Sequence, residues 1–399
     1  MIALPDIGSA TAVLLIMGAI LAISIGADTL CRRLGLPRIS ALVLLGVAIA
    51  LVRDWGGLGG LTPGVTLLGP LEEPLVTVAL VMVAFLLGGD LQVSRLRKTG
   101  GRVLILSLAV AIGSTLIVGA GMLMVGASVT VALALGAMAA ATDPAAVREV
   151  VRDGAAKSTL GRLLLDVVAI DDAWGIILFG LALALAGWLV TADGVVALAH
   201  AGWELGGALM LGAAIGGPAA YMTGRLRSGQ PTQTEAIAVV LLVAGLSTWL
   251  EVSPLLAAMT TGAVIANLAP HHTQSFREIE QVDWPFLVFF FVLAGAKLDM
   301  ARALDVAGLT AAFIAFRLLG RVLGGWAGAR LGRARPADVT PAVGLALTPQ
   351  AGVALGMALL AGERFPDAAA ILITVAITST VIFEIGGPIL TSRLLRRAT

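Results

Sequence analysis

The chain has 399 residues, of which 58% are hydrophobic and 13% are charged, and its formal net charge at neutral pH is +1. This composition excludes an ordinary soluble globular protein, and the small net charge argues against nucleic acid as a partner. The single cysteine, Cys31, excludes an internal disulfide and a cysteine-based zinc site, so the fold must depend on helix packing.

Apolar runs separated by charged or Pro/Gly-rich breaks predict an all-α polytopic membrane protein with about thirteen transmembrane helices. The first run has no basic residue before it and no short segment with a cleavage site, so we expect it to be a retained helix. In chain order, the predicted helices cover residues of about 8–29, 39–53, 72–91, 102–126, 129–153, 159–187, 203–226, 234–250, 253–268, 284–300, 303–332, 339–362 and 366–394.

The basic residues predict the orientation of these helices. Most of the 26 lysines and arginines fall on alternate loops, and the opposite loops hold only Arg53, Arg302 and Arg364. By the positive-inside rule, the N-terminus is expected outside and the C-terminus in the cytoplasm, in the cell (inner) membrane.

The two halves of the chain resemble each other. A shift of 207 residues matches Gly88 to Gly295, and a shift of 216 residues matches Gly46 to Gly262. Matched segments cross the membrane in opposite directions, which predicts an inverted repeat, as is typical of secondary transporters. The expected parts of this single transmembrane domain, residues 1–399, are repeats at about 8–187 and 234–394 and a linker helix at about 203–226.

The span from residue 159 to 187 carries an adjacent pair of carboxylates, Asp171 and Asp172. Counting about 1.5 Å per residue places them roughly 18 to 20 Å into a hydrocarbon core about 30 Å thick. A carboxylate at this depth is a functional-site hypothesis by default. Since adjacent helical residues point about 100° apart, we expect one to meet a bound cation and the other a protein partner.

Two spans are interrupted by proline, the fifth at Thr142-Asp143-Pro144 and the twelfth at Thr348-Pro349-Gln350. Proline lacks a backbone N–H and disfavours helical geometry in the residue before it, so each helix should open there. Freed carbonyls and half-helix ends can replace the water around an ion. Asp143 would offset the positive ends of the half-helices and is a candidate cation ligand.

Four further charged residues within the predicted spans are assigned roles. Lys297 is expected about 20 Å deep, the same depth as Asp171, which makes Asp171 its expected partner. Lys297 is expected either to release a proton when a cation binds or only to compensate the carbonyl ends of the broken helices. Arg317 and Arg321 lie one turn apart and are expected to link helices rather than bind the cation. Glu384 is expected to pair with one of these arginines.

Four segments of the chain contain the polar residues described above, and they are Ala141-Thr-Asp-Pro-Ala-Ala-Val147, Ala169-Ile-Asp-Asp-Ala-Trp-Gly175, Phe290-Phe-Val-Leu-Ala-Gly-Ala-Lys-Leu-Asp299 and Phe383-Glu-Ile-Gly-Gly-Pro388. Together these segments resemble the signature segments of the monovalent cation/proton antiporters, specifically the bacterial sodium/proton exchangers with a double aspartate. This resemblance implies thirteen helices, a homodimer, crossed broken helices in a core domain, and elevator-like movement of that core.

The resemblance also implies residue roles. Asp172 would be the cation- and proton-binding carboxylate, Asp171 the partner of Lys297, and Thr142 and Asp143 the residues at the crossing. A transported Na+ would then bind at Asp172, Asp171 and Thr142. The double aspartate together with a lysine resembles the electrogenic members of the family.

We therefore expect a secondary active sodium (or lithium)/proton antiporter that uses alternating access. A potassium/proton antiporter or potassium efflux transporter is the alternative, and a channel or non-transporting scaffold is a weaker one. No cofactor is expected beyond the transported ions. An enzyme is not expected, because the sequence shows no glycine-rich phosphate loop, nucleophile elbow or metal cluster.

Overall fold

The structure, a computed structural model, contains only helices as regular secondary structure in the part of the chain that it describes. The described residues are 9–34, 38–55, 69–94, 100–154, 159–190, 194–223, 232–269, 272–298, 300–332, 342–350 and 352–398.

Sixteen helical segments are numbered here within the described residues. They are α1 (Ser9–Leu34), α2 (Arg38–Trp55), α3 (Gly69–Asp90), α4 (Gly101–Met124), α5 (Val129–Met138), α6 (Pro144–Gly154), α7 (Thr159–Val190), α8 (Gly194–Thr223), α9 (Thr232–Trp249), α10 (Pro254–Leu268), α11 (His272–Ala296), α12 (Met300–Asp305), α13 (Ala307–Leu331), α14 (Ala342–Ala346), α15 (Gly352–Arg364) and α16 (Pro366–Ala398).

These segments confirm the predicted fold class. The fifth predicted helix is α5 followed by α6, the twelfth is α14 followed by α15, and the short α12 precedes α13. Among the residues that the structure describes, seven helices (α1, α4, α7, α8, α11, α13 and α16) are long and apolar enough to cross a membrane, judged by length and composition. Shorter apolar helices such as α2, α3 and α10 accompany them. The protein is a multi-pass membrane protein.

Two helices begin earlier than the apolar pattern predicted. α8 begins at Gly194 rather than near residue 203, and α11 begins at His272 rather than near residue 284. The added part of α11 is polar and contains glutamate, glutamine and arginine, which are good helix formers. Hydropathy marks the membrane-embedded part of a helix, and the helix itself continues into the polar region.

The helices form two sets of contacts. In one set, α4 packs along α13, α7 lies against α4 and α5, and α16 contacts α6 and α14. In the other set, α2 packs on α11, and α10 packs on α3 and α8. The first set contains both broken helices and the double aspartate of α7, so it holds the candidate site.

Glycine pairs bring helices of the second set into backbone contact. A Cβ atom on Gly46 would overlap the carbonyl oxygen of Val292, beside Gly295, and one on Gly88 would overlap that of Met259, near Gly262. The sequence matched Gly46 to Gly262 and Gly88 to Gly295, so each contact is the counterpart of the other. An internal repeat in the chain would produce such a pair of equivalent contacts. The boundaries of the two repeats, at about 8–187 and 234–394, stay a prediction.

Gly46→Ala is expected to destabilise the protein by about 1–3 kcal/mol, because the added methyl group forces α2 and α11 apart. The measurement is the thermal unfolding temperature of the purified protein in detergent. Gly245→Ala on α9 is the control, since nothing lies within 4 Å of its added Cβ. Equal unfolding temperatures for the two variants would contradict the close approach of α2 and α11.

Candidate ion-binding site

The two broken helices meet at their breaks. α5 ends at Met138 and α6 begins at Pro144, while α14 ends at Ala346 and α15 begins at Gly352. The backbone N–H of Asp143 in the first break donates to the carbonyl oxygen of Pro349 in the second, at 2.9 Å. The helices therefore open at the predicted prolines, and the two openings touch.

Two buried arginines from α13 bind the carbonyl ends of the half-helices. Arg317 donates to the carbonyl oxygens of Ala141 and Thr348, each at 2.8 Å. Arg321 donates to those of Ala140, at 2.8 Å, and Ala141, at 2.9 Å. Both arginine side chains are fully buried. A helix C-terminus carries partial negative charge, so the two guanidinium groups compensate the ends of α5 and α14 together.

Asp171 forms a buried ion pair with one of these arginines. Arg321 Nη1 lies 3.0 Å from Asp171 Oδ2, and both side chains are fully buried. The hydroxyl of Thr142 donates to the same carboxylate oxygen. The predicted pairing with Lys297 was wrong, because Lys297 lies just beyond the end of α11 with its side chain exposed. Equal depth along two helices does not make their residues neighbours.

Asp172 is buried in a different environment. Its side chain is 3% exposed, and neither carboxylate oxygen has a hydrogen-bond partner among the described residues. It follows Asp171 on α7 and therefore points about 100° away from that residue and its ion pair. A buried ionised carboxylate without a partner is strongly unfavourable, so Asp172 needs a bound proton or a bound cation.

Comparisons with known proteins identify the family and the fold of the chain. The sequence profile of the family described as "Sodium/hydrogen exchanger, transmembrane" matches residues 17–397. The chain belongs to the sodium/hydrogen exchanger family. The resemblance to monovalent cation/proton antiporters is thereby confirmed, and the family is one of transporters rather than enzymes.

Solved structures agree with this family at the level of the fold. The structure of the sodium proton antiporter MjNhaP1 from Methanocaldococcus jannaschii at pH 8 is similar, with a TM-score of 0.71 and 17% sequence identity over 98% of this chain and 96% of that one. A structure of the same antiporter from an electron-microscopy map gives a TM-score of 0.67 and 16% identity, over 96% of both chains. A sequence search of curated proteins finds no match.

In this sodium/hydrogen exchanger, the crossing holds further polar side chains. Asp143 directly precedes α6 and is 7% exposed, so it lies at the positive end of that half-helix, as predicted. Gln350 in the second break is fully buried, and its side-chain amide has no hydrogen-bond partner among the described residues. Sequence reasoning did not assign Gln350 a role, although it immediately follows Pro349 in the predicted break.

Glu384 does not pair with an arginine as predicted. Its side chain is buried, and Oε1 accepts a hydrogen bond from the backbone N–H of Ser40 at 2.9 Å. Ser40 lies in the first turn of α2, where backbone N–H groups have no acceptor within the helix. Glu384 therefore satisfies a helix N-terminus, while its neighbour Phe383 places its ring 4.3 Å from the guanidinium carbon of Arg317.

Arg317 and Arg321 were expected to link helices, but their contacts with the broken helices and with Asp171 were not predicted, although the sequence contained a signal. Gly320, Gly324 and Gly328 recur every four residues on α13 and all pack closely against α4. Small residues at this spacing mark the face of a transmembrane helix that contacts another helix. Arg317 and Arg321 precede Gly320 and Gly324 by three residues each, and therefore point into the same bundle.

Proposed function

We propose that this protein exchanges Na+ (or Li+) for protons across the cell membrane, with Asp172 as the group that holds either ion in turn. The observation that carries the proposal is the contrast between two adjacent buried carboxylates. Asp171 is neutralised by Arg321, whereas both oxygens of Asp172 lack a partner. Asp171 therefore stabilises the structure as part of an ion pair, and Asp172 is available to bind an ion.

Exchange follows from competition for the oxygens of Asp172. A proton or a monovalent cation each removes the unfavourable bare charge, and binding of one displaces the other. The oxygen of Thr142 keeps lone pairs for a cation, because its hydroxyl proton points to Asp171. Carbonyl groups at the breaks are further candidate ligands, as is typical of discontinuous helices in transporters.

The charge carried per cycle depends on the partner of Asp171. Arginine keeps its proton in proteins, so Arg321 and Asp171 remain an ion pair while Asp172 exchanges its ion. One proton then moves for each cation, and the cycle carries no net charge. This proposal replaces the electrogenic exchange expected from a titrating Lys297.

Alternating access completes the proposal. We take the helices around α4, α7, α13 and the broken helices as the moving core and the set around α2, α3 and α10 as the static part of a homodimer, with the N-terminus outside. Arg364 at the end of α15 pairs with Glu204 on α8 at 3.1 Å and so bridges the core and the linker helix. An elevator-like movement of the core has to break this partly exposed pair.

The proposal is tested in vesicles that contain the purified protein and a trapped pH-sensitive dye. Adding Na+ or Li+ outside should drive proton movement, and the rate should stay the same when a potassium–valinomycin gradient sets the membrane potential. A rate that follows the potential would overturn the one-for-one exchange. A dye that responds to neither cation would overturn the antiport itself.

Lys297→Gln is expected to leave the exchange rate and its independence of potential unchanged, because the exposed lysine takes no part in the ion pair at Asp171. The same vesicle assay measures both quantities. Loss of exchange in this variant, with unchanged thermal stability, would show that Lys297 takes part in transport.

A further inference from the structure

A groove of about 590 Å³ lies between α4 and α13, away from the candidate site. Its lining is apolar, and several of the side chains are well exposed, including Leu116 and Leu331. Six of the lining residues are Ile105, Ile112, Leu116, Leu323, Trp326 and Leu331. An exposed apolar surface of this kind on a multi-pass membrane protein is expected to face lipid.

The groove results from the glycine contacts between the two helices. A Cβ atom on Gly324 would lie 2.9 Å from the Cα of Val110, and one on Gly328 would lie 2.9 Å from the Cα of Leu106. The helices touch along this line through their backbones. Large side chains on either side of the line then stand away from it and leave a furrow.

The length of the groove fits one leaflet of a bilayer. On α4 its lining runs from Ile105 to Ile117. At a rise of about 1.5 Å per residue this segment is roughly 18 Å long, slightly more than half of a hydrocarbon core about 30 Å thick. The groove therefore has the length of an acyl chain that extends from one surface of the membrane to its middle.

Two exposed arginines lie at one end of the groove. Arg102 is the second residue of α4, and Arg330 lies in the last turn of α13. A Cβ on Gly332 would lie 3.3 Å from the carbonyl oxygen of Arg102, so the two helix ends are adjacent. The guanidinium carbon of Arg330 lies 4.1 Å from the centre of the Trp326 ring, which lines the groove. Tryptophan and arginine are typical residues of the membrane interface.

We propose that this groove binds an anionic phospholipid of the cytoplasmic leaflet. The phosphate lies between Arg102 and Arg330, and one acyl chain occupies the furrow beside Trp326. The positive-inside rule places this arginine-bearing end at the cytoplasmic surface, and basic residues there attract anionic headgroups. The bound lipid holds α4 against α13, the helix that carries Arg317 and Arg321.

The test uses the full-length protein in detergent, with phosphatidylglycerol or phosphatidylcholine of identical acyl chains. Native mass spectrometry measures bound lipid, and thermal unfolding measures stabilisation. Phosphatidylglycerol is expected to bind and stabilise more strongly than phosphatidylcholine. The double variant Arg102→Gln with Arg330→Gln should bind phosphatidylglycerol about 25-fold more weakly. Each arginine near an anionic headgroup typically contributes about 1 kcal/mol, and two such contributions correspond to this change in affinity.

A second variant tests the furrow rather than the charges. Ala327→Phe places a ring in the groove and should also reduce bound phosphatidylglycerol, although both arginines remain. Arg277→Gln on α11 and Ala213→Phe on α8 are matched controls, since both positions are exposed and lie outside the groove. Both controls should bind lipid like the unsubstituted protein.

Three results would overturn the proposal. The first is equal binding of the two lipids, and the second is unchanged binding in either test variant. The third is full stabilisation by glycerol phosphate. This compound lacks acyl chains, so such a result would show that the site binds only phosphate and that the groove takes no part. Because the readout is lipid binding and unfolding, none of these results depends on ion exchange.

Discussion

Asp172→Asn is expected to reduce Na+-driven proton exchange to the rate of vesicles without protein. The amide has nearly the same volume as the carboxyl group, but it cannot take up a proton or carry the negative charge that holds a cation. Asp172 is buried with both oxygens unpartnered, so the substitution breaks no hydrogen bond among the described residues. We therefore expect a folded protein that does not transport.

The control for this prediction lies on the same helix. Asp166 precedes Asp172 by six residues on α7 and is only half-buried. Asp166→Asn removes one carboxylate from the same helix and should keep an exchange rate close to that of the unsubstituted protein. Cation-dependent proton movement that persists in Asp172→Asn would refute the assignment of the ion to Asp172.

Thermal unfolding gives a second measurement on the same variant. A ligand that binds only the folded state stabilises it in proportion to the logarithm of its concentration once the site is nearly saturated. The unfolding temperature of the unsubstituted protein should rise with Na+ concentration, and that of Asp172→Asn should not. This measurement separates loss of cation binding from loss of a later transport step.

The transmembrane spans and the two breaks could be predicted because they depend on local sequence. About twenty apolar residues are long enough to cross the hydrocarbon core, and a proline within such a run removes a backbone hydrogen bond wherever the helix packs. Thr142 to Pro144 and Thr348 to Gln350 are therefore visible as breaks in the sequence. The start of α11 at His272 was missed because its polar first turns carry no hydropathy signal.

The charge pairs could not be predicted in the same way, since depth gives only one coordinate of a side chain. Lys297 and Asp171 were placed at similar depth, but the arginine on α13 reaches Asp171 instead. Glu384 was matched to an arginine because opposite charges attract, and the unsatisfied N–H of Ser40 was not considered. Backbone groups at helix ends compete for buried charges, and a list of charged residues omits them.

Arg321→Gln is expected to destabilise the protein by about 3–5 kcal/mol, the usual result of removing one partner of a buried ion pair. Asp171 keeps only the hydroxyl of Thr142, and the carbonyl groups of Ala140 and Ala141 lose one of their donors. Thermal or denaturant unfolding in detergent measures the change. Lys297→Gln is the control, since it removes a cation that is exposed.

A double-mutant cycle with Asp171→Asn shows how much of this loss belongs to the ion pair. Asp171→Asn with Arg321→Gln leaves no unpaired charge at this position, so it should be more stable than the sum of the two single changes predicts. Residues in direct contact typically show interaction energies of about 0.5–3 kcal/mol in such cycles. Strict additivity would mean that Arg321 acts mainly on the carbonyl ends of α5.

Arg321→Lys tests whether the arginine of the Arg321–Asp171 ion pair determines the net charge carried per transport cycle. Lysine keeps the positive charge, but unlike arginine it readily loses its proton when it is buried. If cation binding at Asp172 then releases a proton from this lysine as well, two protons move for each cation, and the exchange should follow an imposed membrane potential. The potassium–valinomycin assay measures this directly, with the unsubstituted protein as the insensitive reference. An Arg321→Lys protein that exchanges ions at a rate independent of potential would show that the choice of arginine does not set the charge carried per cycle.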